Sequence, residues 1–295
     1  MTGTAGTPRP YAPSPRPTFE VPTLVTRQSV TRHIWGDTEA GEVMDWIYVS
    51  SRSLHVLKFG VAPGQGFRHS QEFRTVFRAD ELLHVLSGTM ILTNPETGEV
   101  VRVEEGGNVG FGADTWHHAF AEGTKALRVL EIFAPPPSAG TAGTYARQQP
   151  YLAESRYTRD ELLGRLDHRT RGGEAGPQSS FRPIGAADQV HRREGSALVS
   201  LLVSTDQLTV AAVRVSPGGC SDERAHGGDA MVFVTSGRLV VRCRHEGQTY
   251  VFEADPHDAV YVPEGATREI RNVEDGDATA LLGVAPDYLP RGPAS

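Results

Sequence analysis

Cysteine is scarce in this chain, because its 295 residues include only Cys220 and Cys243. Two cysteines are too few for a disulfide framework, and these two lie too far apart in sequence for a zinc knuckle. A reducing, cytoplasmic environment is therefore expected. Long apolar runs are also missing, since no segment approaches the roughly 20 residues that span a bilayer. The first residues lack the basic-then-apolar pattern of a signal peptide, and none is expected.

Charge of one sign is equally lacking. The net charge is −7, and acidic and basic residues are interleaved rather than gathered in blocks. A nucleic-acid-binding surface would require a basic patch or stripe. The sequence therefore predicts neither a nucleic-acid partner nor a membrane partner.

Helical periodicity is rare, whereas glycine and proline are abundant, with 32 and 20 residues. Short runs rich in β-branched and aromatic residues recur between turn residues. This pattern is typical of an all-β sandwich or barrel. The clearest runs span residues 54–61, 82–93, 208–215, 230–243 and 258–263.

The composition divides the chain into four parts. Residues 1–24 form a proline-rich arm with little that could pack, and residues 25–135 form a first strand-rich unit. A connector of residues 136–180 leads to a second strand-rich unit, residues 181–288. Within the connector, residues 157–168 predict a short helix, because Thr158 and Glu161 make a capping box before three leucines on one face.

The two strand-rich units repeat one pattern, which indicates an internal duplication. In the first unit, LLHVLSGTMIL is followed by GGNVGFGADTWHH, and 17 residues separate Gly88 from Gly106. In the second unit, MVFVTSGRLVV is followed by HDAVYVPEGATRE, and 19 residues separate Gly237 from His257. Each unit thus has a strand, a tight Ser-Gly turn, a returning strand and a turn-rich strand.

Both units resemble the cupin superfamily, whose two motifs are G-x5-H-x-H-x3/4-E-x6-G and G-x5-P-x-G-x2-H-x3-N. The first unit matches through Glu81-x6-Gly88 and then Gly106-x5-Gly112-x-Asp114-x2-His117. The second unit matches the spacing of both motifs at Gly218, Arg224, His226, Ala230 and Gly237, and then at His257, Pro263, Gly265, Arg268 and Asn272. The resemblance implies an all-β fold of two tandem cupin barrels (double-stranded β-helix, jelly-roll) with a short linker helix.

In cupins the histidines and the glutamate of these motifs bind a divalent metal inside the barrel. The resemblance therefore implies that Glu81 and His117 are metal ligands and catalytic residues. Strand alternation agrees, because it places Glu81 with Leu83 and Val85 on one face, and directs His118 away from His117. Fe²⁺ is the favoured ion of the one predicted site, with Mn²⁺, Ni²⁺ and Zn²⁺ as alternatives.

The first motif of the first unit lacks its two histidines, since those positions hold Thr75 and Phe77, or Arg74 and Val76 with the longer spacing. The preceding segment is lengthened, and its only histidine is His69. If this segment folds back, His69 joins Glu81 and His117 in the 2-His-1-carboxylate arrangement of non-haem Fe²⁺ oxygenases. The alternative is that His69 lies on an exposed loop and that the metal site is weak or empty.

Several neighbouring side chains are candidates for substrate binding. Phe77, Trp116 and His118 are assigned to this role, since Trp116 and His118 adjoin His117 and aromatic rings at a barrel mouth suit an apolar substrate. Strand alternation places His84 and His118 on the outer face. A packed, hydrogen-bonded role is the favoured interpretation of both histidines, and contact with substrate or orientation of the ligand His117 is the functional alternative for His118.

The second unit replaces three of its four expected ligands by Arg224, Ala230 and Arg268, and keeps only His226. Guanidinium groups repel a cation, so no metal is expected there. The arginines could bind a carboxylate or phosphate together with His226 and Asp229. The favoured interpretation pairs them with local acids such as Asp229, Glu223 or Glu264.

The chain resembles bicupin dioxygenases of the quercetinase, gentisate and pirin type, in which an active barrel is joined to a degenerate one. The leading hypothesis is thus a metal-dependent dioxygenase acting on a small aromatic or oxygenated molecule. The first alternative is non-redox isomerisation, cyclisation or decarboxylation, with a Lewis-acid metal or with His117 and Glu81 as a metal-free acid–base pair. The second is a non-catalytic small-molecule-binding cupin. A monomer or homodimer is expected.

Overall fold

A computed structural model describes residues 14–136, 144–156 and 179–290. Nearly all regular structure within these ranges is β-strand, as the sequence predicts. The helix predicted at residues 157–168 lies outside the described residues. Inside the connector, the structure instead shows a short helix α1 (Thr144–Gln148). No helix in the described ranges is both long and apolar enough to cross a membrane.

The strands fall into two consecutive sets. The first set is β1 (Thr23–Val25), β2 (Thr31–Trp35), β3 (Val43–Ser50), β4 (His55–Val61), β5 (Gly66–Phe67), β6 (Asp80–Ser87), β7 (Thr89–Thr93), β8 (Val100–Glu104), β9 (Asn108–Phe111), β10 (His118–Glu122) and β11 (Leu127–Ala134). The second set is β12 (Arg182–Pro183), β13 (Val190–Glu194), β14 (Ala197–Ser204), β15 (Thr209–Val215), β16 (Arg224–Ala225), β17 (Gly227–Ser236), β18 (Leu239–His245), β19 (Gln248–Ala254), β20 (Ala259–Val262), β21 (Thr267–Arg271) and β22 (Ala278–Asp287).

Each barrel pairs a seven-stranded sheet with a four-stranded sheet. In the first barrel the strand orders are β12-β9-β6-β11-β4-β3-β2 and β5-β10-β7-β8. In the second they are β1-β20-β17-β22-β15-β14-β13 and β16-β21-β18-β19. The two halves exchange strands, because β1 pairs with β20 of the second barrel and β12 pairs with β9 of the first. This exchange ties the two barrels together through main-chain hydrogen bonds.

Strand alternation divides the apolar side chains of each barrel between the barrel's own core and a core that lies between the two barrels. Leu83 and Val85 belong to the core of the first barrel, whereas Leu82 belongs to a core that lies between the barrels. In that shared core the ring of Tyr48 meets Phe233 edge-to-face, with centroids 5.3 Å apart. The Tyr48 hydroxyl donates to the carbonyl oxygen of His257 at 2.7 Å. The inward and outward faces predicted for β6 are therefore confirmed.

The duplication extends to backbone conformation. Asp114 has a φ of +67°, and Gly265, at the matching motif position of the second unit, has a φ of +80°. Aspartate is among the few residues other than glycine that adopt this left-handed region. The turn before His117 therefore keeps the cupin geometry without its glycine.

Candidate metal centre

Three ligand-bearing side chains converge inside the first barrel: Glu81 on β6, Glu131 on β11, and His117 just before β10. Each can offer one ligand atom, and these atoms all lie within 4.8 Å of one another. Glu81 and His117 are 1% and 2% exposed, and Glu131 is 8% exposed. The structure thus brings together the two residues that the sequence predicts, and it adds Glu131.

The pleat of the sheet explains this convergence. Glu81 lies opposite Phe133 on β11, and Glu131 lies opposite Leu83 on β6, so both carboxyl groups share the inward face. His117 is two residues before Ala119, which belongs to the core of the first barrel. The ring of His117 packs among Phe67, Phe77 and Phe111.

The two carboxyl groups perturb each other. Burial raises the pKa of Glu81 well above its ordinary value, and the charge and hydrogen bond of Glu131 raise it further. Burial also raises the pKa of Glu131 to about 7. Two buried like charges in contact cannot both ionise without compensation, so the pair retains a proton near neutral pH unless a cation is bound.

His117 is set up to offer a lone pair. Burial lowers the pKa of its ring to about 4, so the imidazole is neutral at physiological pH. Its Nδ1 lies 3.3 Å from the carbonyl oxygen of Thr115 and donates to it, which leaves Nε2 with its lone pair. A backbone hydrogen bond that fixes the tautomer in this way is common in metal-binding histidines.

These residues fit a divalent cation. Among the described residues, the buried Oε2 atom of Glu81 has no hydrogen-bond partner. A cation would satisfy this atom and balance the two carboxylates. One imidazole and two carboxylates form a hard, oxygen-rich donor set, which suits Mn²⁺ better than a set with two imidazoles would.

The centre borders a cavity of about 710 Å³. His117 and Glu131 line it directly, and aromatic rings form much of the remaining wall. Three arginines also line it: Arg16, Arg74 and Arg147. The aromatic lining residues are Trp35, Phe59, Phe67, Phe73, Phe77 and Phe133. Phe77, one of the three residues assigned to substrate binding, therefore lines this cavity.

His69 is not part of the centre, which corrects the triad expected from the sequence. Its Nε2 donates to the carbonyl oxygen of Leu152 at 2.5 Å, and its Nδ1 lies 2.6 Å from Nε2 of His118. Both ring nitrogens are therefore engaged away from Glu81. His69 is also not on an exposed loop, because only 8% of it is accessible.

The lengthened segment explains this position. The chain leaves the sheet after β5 and returns at Thr75, whose carbonyl oxygen accepts a hydrogen bond from the amide of His117 at 3.1 Å. In the second barrel Arg224 lies opposite Arg268 in the strand register, and these two residues match Thr75 and His117 in the motifs. Thr75 and Phe77 therefore occupy the two histidine positions of the motif, and the excursion carries His69 to the outer side.

The outward histidines have structural partners. His118 is 1% exposed and packs with His69 beside Trp116, whose ring centroid is 4.9 Å from that of His69. Trp116 and His118 are absent from the cavity lining, so their expected contact with substrate is not supported. His84 lies 2.9 Å from the Asn108 side chain through Nδ1. The packed interpretation fits both histidines.

The cupin-domain family matches the chain twice, over residues 61–133 and residues 211–284. This chain belongs to the cupin superfamily and is a bicupin. No curated protein matches it.

Solved structures with the same fold include oxalate decarboxylases. A single-residue mutant of the Bacillus subtilis enzyme superposes with a TM-score of 0.63 at 16% identity, over 93% of this chain and 80% of that one. A formate complex of the Lactobacillus farciminis enzyme superposes with a TM-score of 0.59 at 13% identity, over 90% of this chain and 87% of that one. A third structure comes from a study of the Mn(II) centres of the Bacillus subtilis enzyme. It superposes with a TM-score of 0.62 at 15% identity, over 92% of this chain and 79% of that one.

The second barrel of this bicupin fills the corresponding space with an ion-pair network. Glu194, which is completely buried, accepts from Arg268 at 3.2 Å, from Arg192 at 2.7 Å and from the Tyr288 hydroxyl at 2.9 Å. Arg224 lies 3.3 Å from the same carboxylate. The arginines are thus paired, as favoured from the sequence, but chiefly with Glu194 rather than with the acids named there.

The ring of His226 packs against Tyr288 beside this network, with centroids 4.8 Å apart. Its Nδ1 donates to the carbonyl oxygen of Tyr288 at 2.6 Å. Burial, followed by the charge of Arg268, lowers the pKa of His226 to about 4. Among the described residues, the second barrel holds no cluster of three metal-ligating side chains.

Sequence reasoning missed Glu131 and Glu194 because neither belongs to a cupin motif. A signal for Glu131 was present, since it is the one acid within the apolar run LRVLEIFA of β11. Its neighbours on the same face, Val129 and Phe133, point inward. A lone carboxylate on the buried face of a strand is costly unless it is paired or binds a cation.

Proposed function

We propose that this bicupin is a metal-dependent enzyme whose first barrel converts a small organic carboxylate by non-redox chemistry, with decarboxylation as the favoured reaction. The observation that carries the proposal is the buried group Glu81, His117 and Glu131 at the wall of the aromatic cavity. The second barrel has a structural role in this proposal, since its interior is occupied by Arg268 and Glu194.

Glu81 and Glu131 would hold the ion through carboxylate oxygens, and His117 would hold it through Nε2. A bound Mn²⁺ would act as a Lewis acid on a substrate oxygen. Mn²⁺ is favoured over Fe²⁺ by the two carboxylates and by the Mn(II) centres named for the Bacillus subtilis oxalate decarboxylase. The aromatic walls would exclude water from the bound substrate.

The cavity supports a carboxylate substrate larger than oxalate. Arg16, Arg74 and Arg147 supply positive charge along its lining, and guanidinium groups bind carboxylates well. A volume of about 710 Å³ exceeds what a two-carbon acid would fill. The aromatic walls favour a substrate with an apolar or aromatic body.

The dioxygenase hypothesis is weakened by the position of His69. It depended on His69 as a second imidazole ligand, and His69 instead bonds Leu152 and lies against His118. The favoured Fe²⁺ depended on the same triad. Non-redox chemistry, the alternative drawn from the sequence, also agrees with the oxalate decarboxylases that share the fold.

A metal-free acid–base mechanism is the second candidate. It is favoured by one observation, the raised pKa values of Glu81 and Glu131, which leave a carboxylic acid beside the cavity near neutral pH. Such a group could donate a proton to a carbanion. This candidate differs from the first by requiring no metal for turnover.

The test is a turnover screen with small aromatic and aliphatic carboxylates. Protein would be stripped with chelator, reloaded with Mn²⁺, and assayed in parallel for CO₂ release and O₂ uptake. Metal-dependent CO₂ release without O₂ uptake is expected, and Glu131→Gln should abolish it. His191→Gln, at an exposed position of β13 in the second barrel, is the matched control.

The other outcomes separate the alternatives. O₂ uptake that depends on metal would restore the dioxygenase hypothesis. CO₂ release by the stripped protein would favour the acid–base candidate. Binding of carboxylates without conversion of any would favour a non-catalytic binding cupin.

A further inference from the structure

Ser50 and His55 lie directly opposite each other on β3 and β4, and both line the cavity of the first barrel. They are almost completely buried, with 1% and 3% exposure. Within the described part of the chain, the Ser50 hydroxyl oxygen and Nδ1 of His55 have no hydrogen-bond partner. Two adjacent orphaned polar groups on a cavity wall are uncommon, since the large majority of buried polar atoms are paired.

Positive charge is added at the same place. Arg16, which precedes β1, also lines the cavity. Burial lowers the pKa of His55 to about 3, and the nearby charge of Arg16 contributes to this shift. His55 is therefore a neutral imidazole with one N–H to donate, next to a hydroxyl that can also donate. An acceptor-only group with negative charge would satisfy both donors and would be attracted by the guanidinium charge.

The register gives the separation from the metal centre. Across the inner face, Ser50 lies opposite His55, His55 lies opposite Phe133, and Phe133 lies opposite Glu81. His55 and Glu81 are thus two strand spacings apart, or about 10 Å between Cα atoms. Phe133 lies between them, and its ring centroid is 4.6 Å from that of His55. A ligand with a short apolar linker that crosses Phe133 would reach from His55 to Glu81.

We infer that Ser50, His55 and Arg16 form a second anion subsite, which binds the distal carboxylate of a diacid whose other end lies at Glu81, Glu131 and His117. The inference rests on the proposed function and adds the substrate class, a diacid with an apolar linker. The subsite fixes the orientation of the substrate in the cavity. It also selects against acids with only one charged end.

The test uses diacids from malonate to adipate and the monomethyl ester of the tightest one. Calorimetry would measure their affinities for the Mn²⁺-loaded full chain and for metal-free protein. The wild type should bind the diacid at least about ten-fold more tightly than its monoester, as loss of a hydrogen bond to a charged group predicts. The ester keeps the same carbon chain between its two carbonyl groups, but one end loses its charge and gains a methyl group.

Three variants test the assignment: Ser50→Ala, Arg16→Gln and His55→Phe, of which the last keeps a ring against Phe133. In each variant the ratio of diacid affinity to monoester affinity should fall toward one, while the affinity for Mn²⁺ stays unchanged. A purely structural role would not move this ratio. His191→Phe, in the second barrel, is the control that should retain the preference. If His55→Phe fails to fold, the other two variants carry the test.

The inference is overturned if the wild type binds no diacid, binds diacid and monoester equally, or keeps its preference in Ser50→Ala and Arg16→Gln. These results are separable from failure of the proposed function. If Mn²⁺ does not bind but the diacid preference of the metal-free protein disappears in the variants, the subsite stands and the metal enzyme fails. If Mn²⁺ binds and supports turnover while the preference is unchanged, only the subsite fails.

Discussion

Glu81 and Glu131 lie on neighbouring strands of the first barrel, where ligand atoms of their buried carboxyl groups lie within 4.8 Å of each other. At the matching places of the second barrel, Ala230 lies opposite Val284, and Leu282 lies opposite Val232. The same strand pair therefore carries two carboxyl groups in one barrel and two apolar side chains in the other. This difference separates a barrel whose buried side chains could hold a cation from a barrel filled by its own side chains.

The carboxyl pair predicts how the stability of metal-free protein depends on pH. The pKa of Glu131 is about 7 in the folded state, against an ordinary value of 4.5. The folded state thus holds a proton that the unfolded state has released, so the contribution of Glu131 to the free energy of unfolding should fall as pH rises from about 4.5 to about 7.5. Buried histidines with lowered pKa values, such as His55 and His117, change stability in the opposite direction as pH rises through about 6.5. A comparison with Glu131→Gln, which keeps these histidines, separates the two effects.

Chemical denaturation of metal-free wild type and Glu131→Gln at several pH values would measure this contribution as the difference between their free energies of unfolding. The difference should decrease as pH rises over this window, and saturation with Mn²⁺ should remove the decrease because the ion replaces the proton. A difference that stays constant or increases over this window would contradict the shared-proton description.

His117 and His118 should behave differently when replaced. His117→Ala removes the one imidazole of the centre, so metal affinity should collapse. His118→Ala leaves the centre intact and removes the contact with His69, so it should mainly lower stability, with a loss in metal affinity of about 10–100-fold at most. Metal content and melting temperature of the two variants, measured together, decide this. A metal-free His118→Ala beside a metal-bound His117→Ala would show that the other face holds the site.

Replacement of Glu194 tests the second barrel. Glu194→Gln would leave Arg268, which is completely buried, without its countercharge, and breaking a buried pair costs about 3–5 kcal/mol. The control is Glu223→Gln, since Glu223 is exposed and pairs with Arg242, and its loss should cost less than about 1 kcal/mol. Equal effects in denaturant titrations would argue against the network as the stabilising core of this barrel.

The sequence predicted the parts of the fold that depend on short-range pattern. Alternating apolar runs and duplicated turns indicated two β-barrels. Alternation placed Glu81 and Leu82 on opposite faces, and the cupin resemblance implied that the face of Glu81 is the inward one. The exchange of β1 and β12 was not predictable, because strands of two and three residues carry too little pattern to name a partner. The predicted cytoplasmic location, the absence of nucleic-acid partners and the monomeric or homodimeric state stay predictions.

The site was predictable only where a motif covers it. Glu81 and His117 keep their motif spacing, and so they were found. His69 was misplaced because an insertion can return in several ways, and here Thr75 resumes the pairing with His117. Glu131 lies outside both motifs, and its distance from Glu81 depends on strand order in the sheet, which the sequence does not state.

The most direct test of the central claim is the number and affinity of Mn²⁺ ions bound by the wild type and by Glu131→Leu. Leucine is the residue that the second barrel holds at this position, so the fold should persist, which circular dichroism would verify. The wild type should bind one equivalent per chain, and Glu131→Leu should bind far more weakly, by more than the roughly 100-fold that an outer partner contributes. Two equivalents in the wild type, or unchanged affinity in Glu131→Leu, would contradict a single centre built on Glu81, His117 and Glu131.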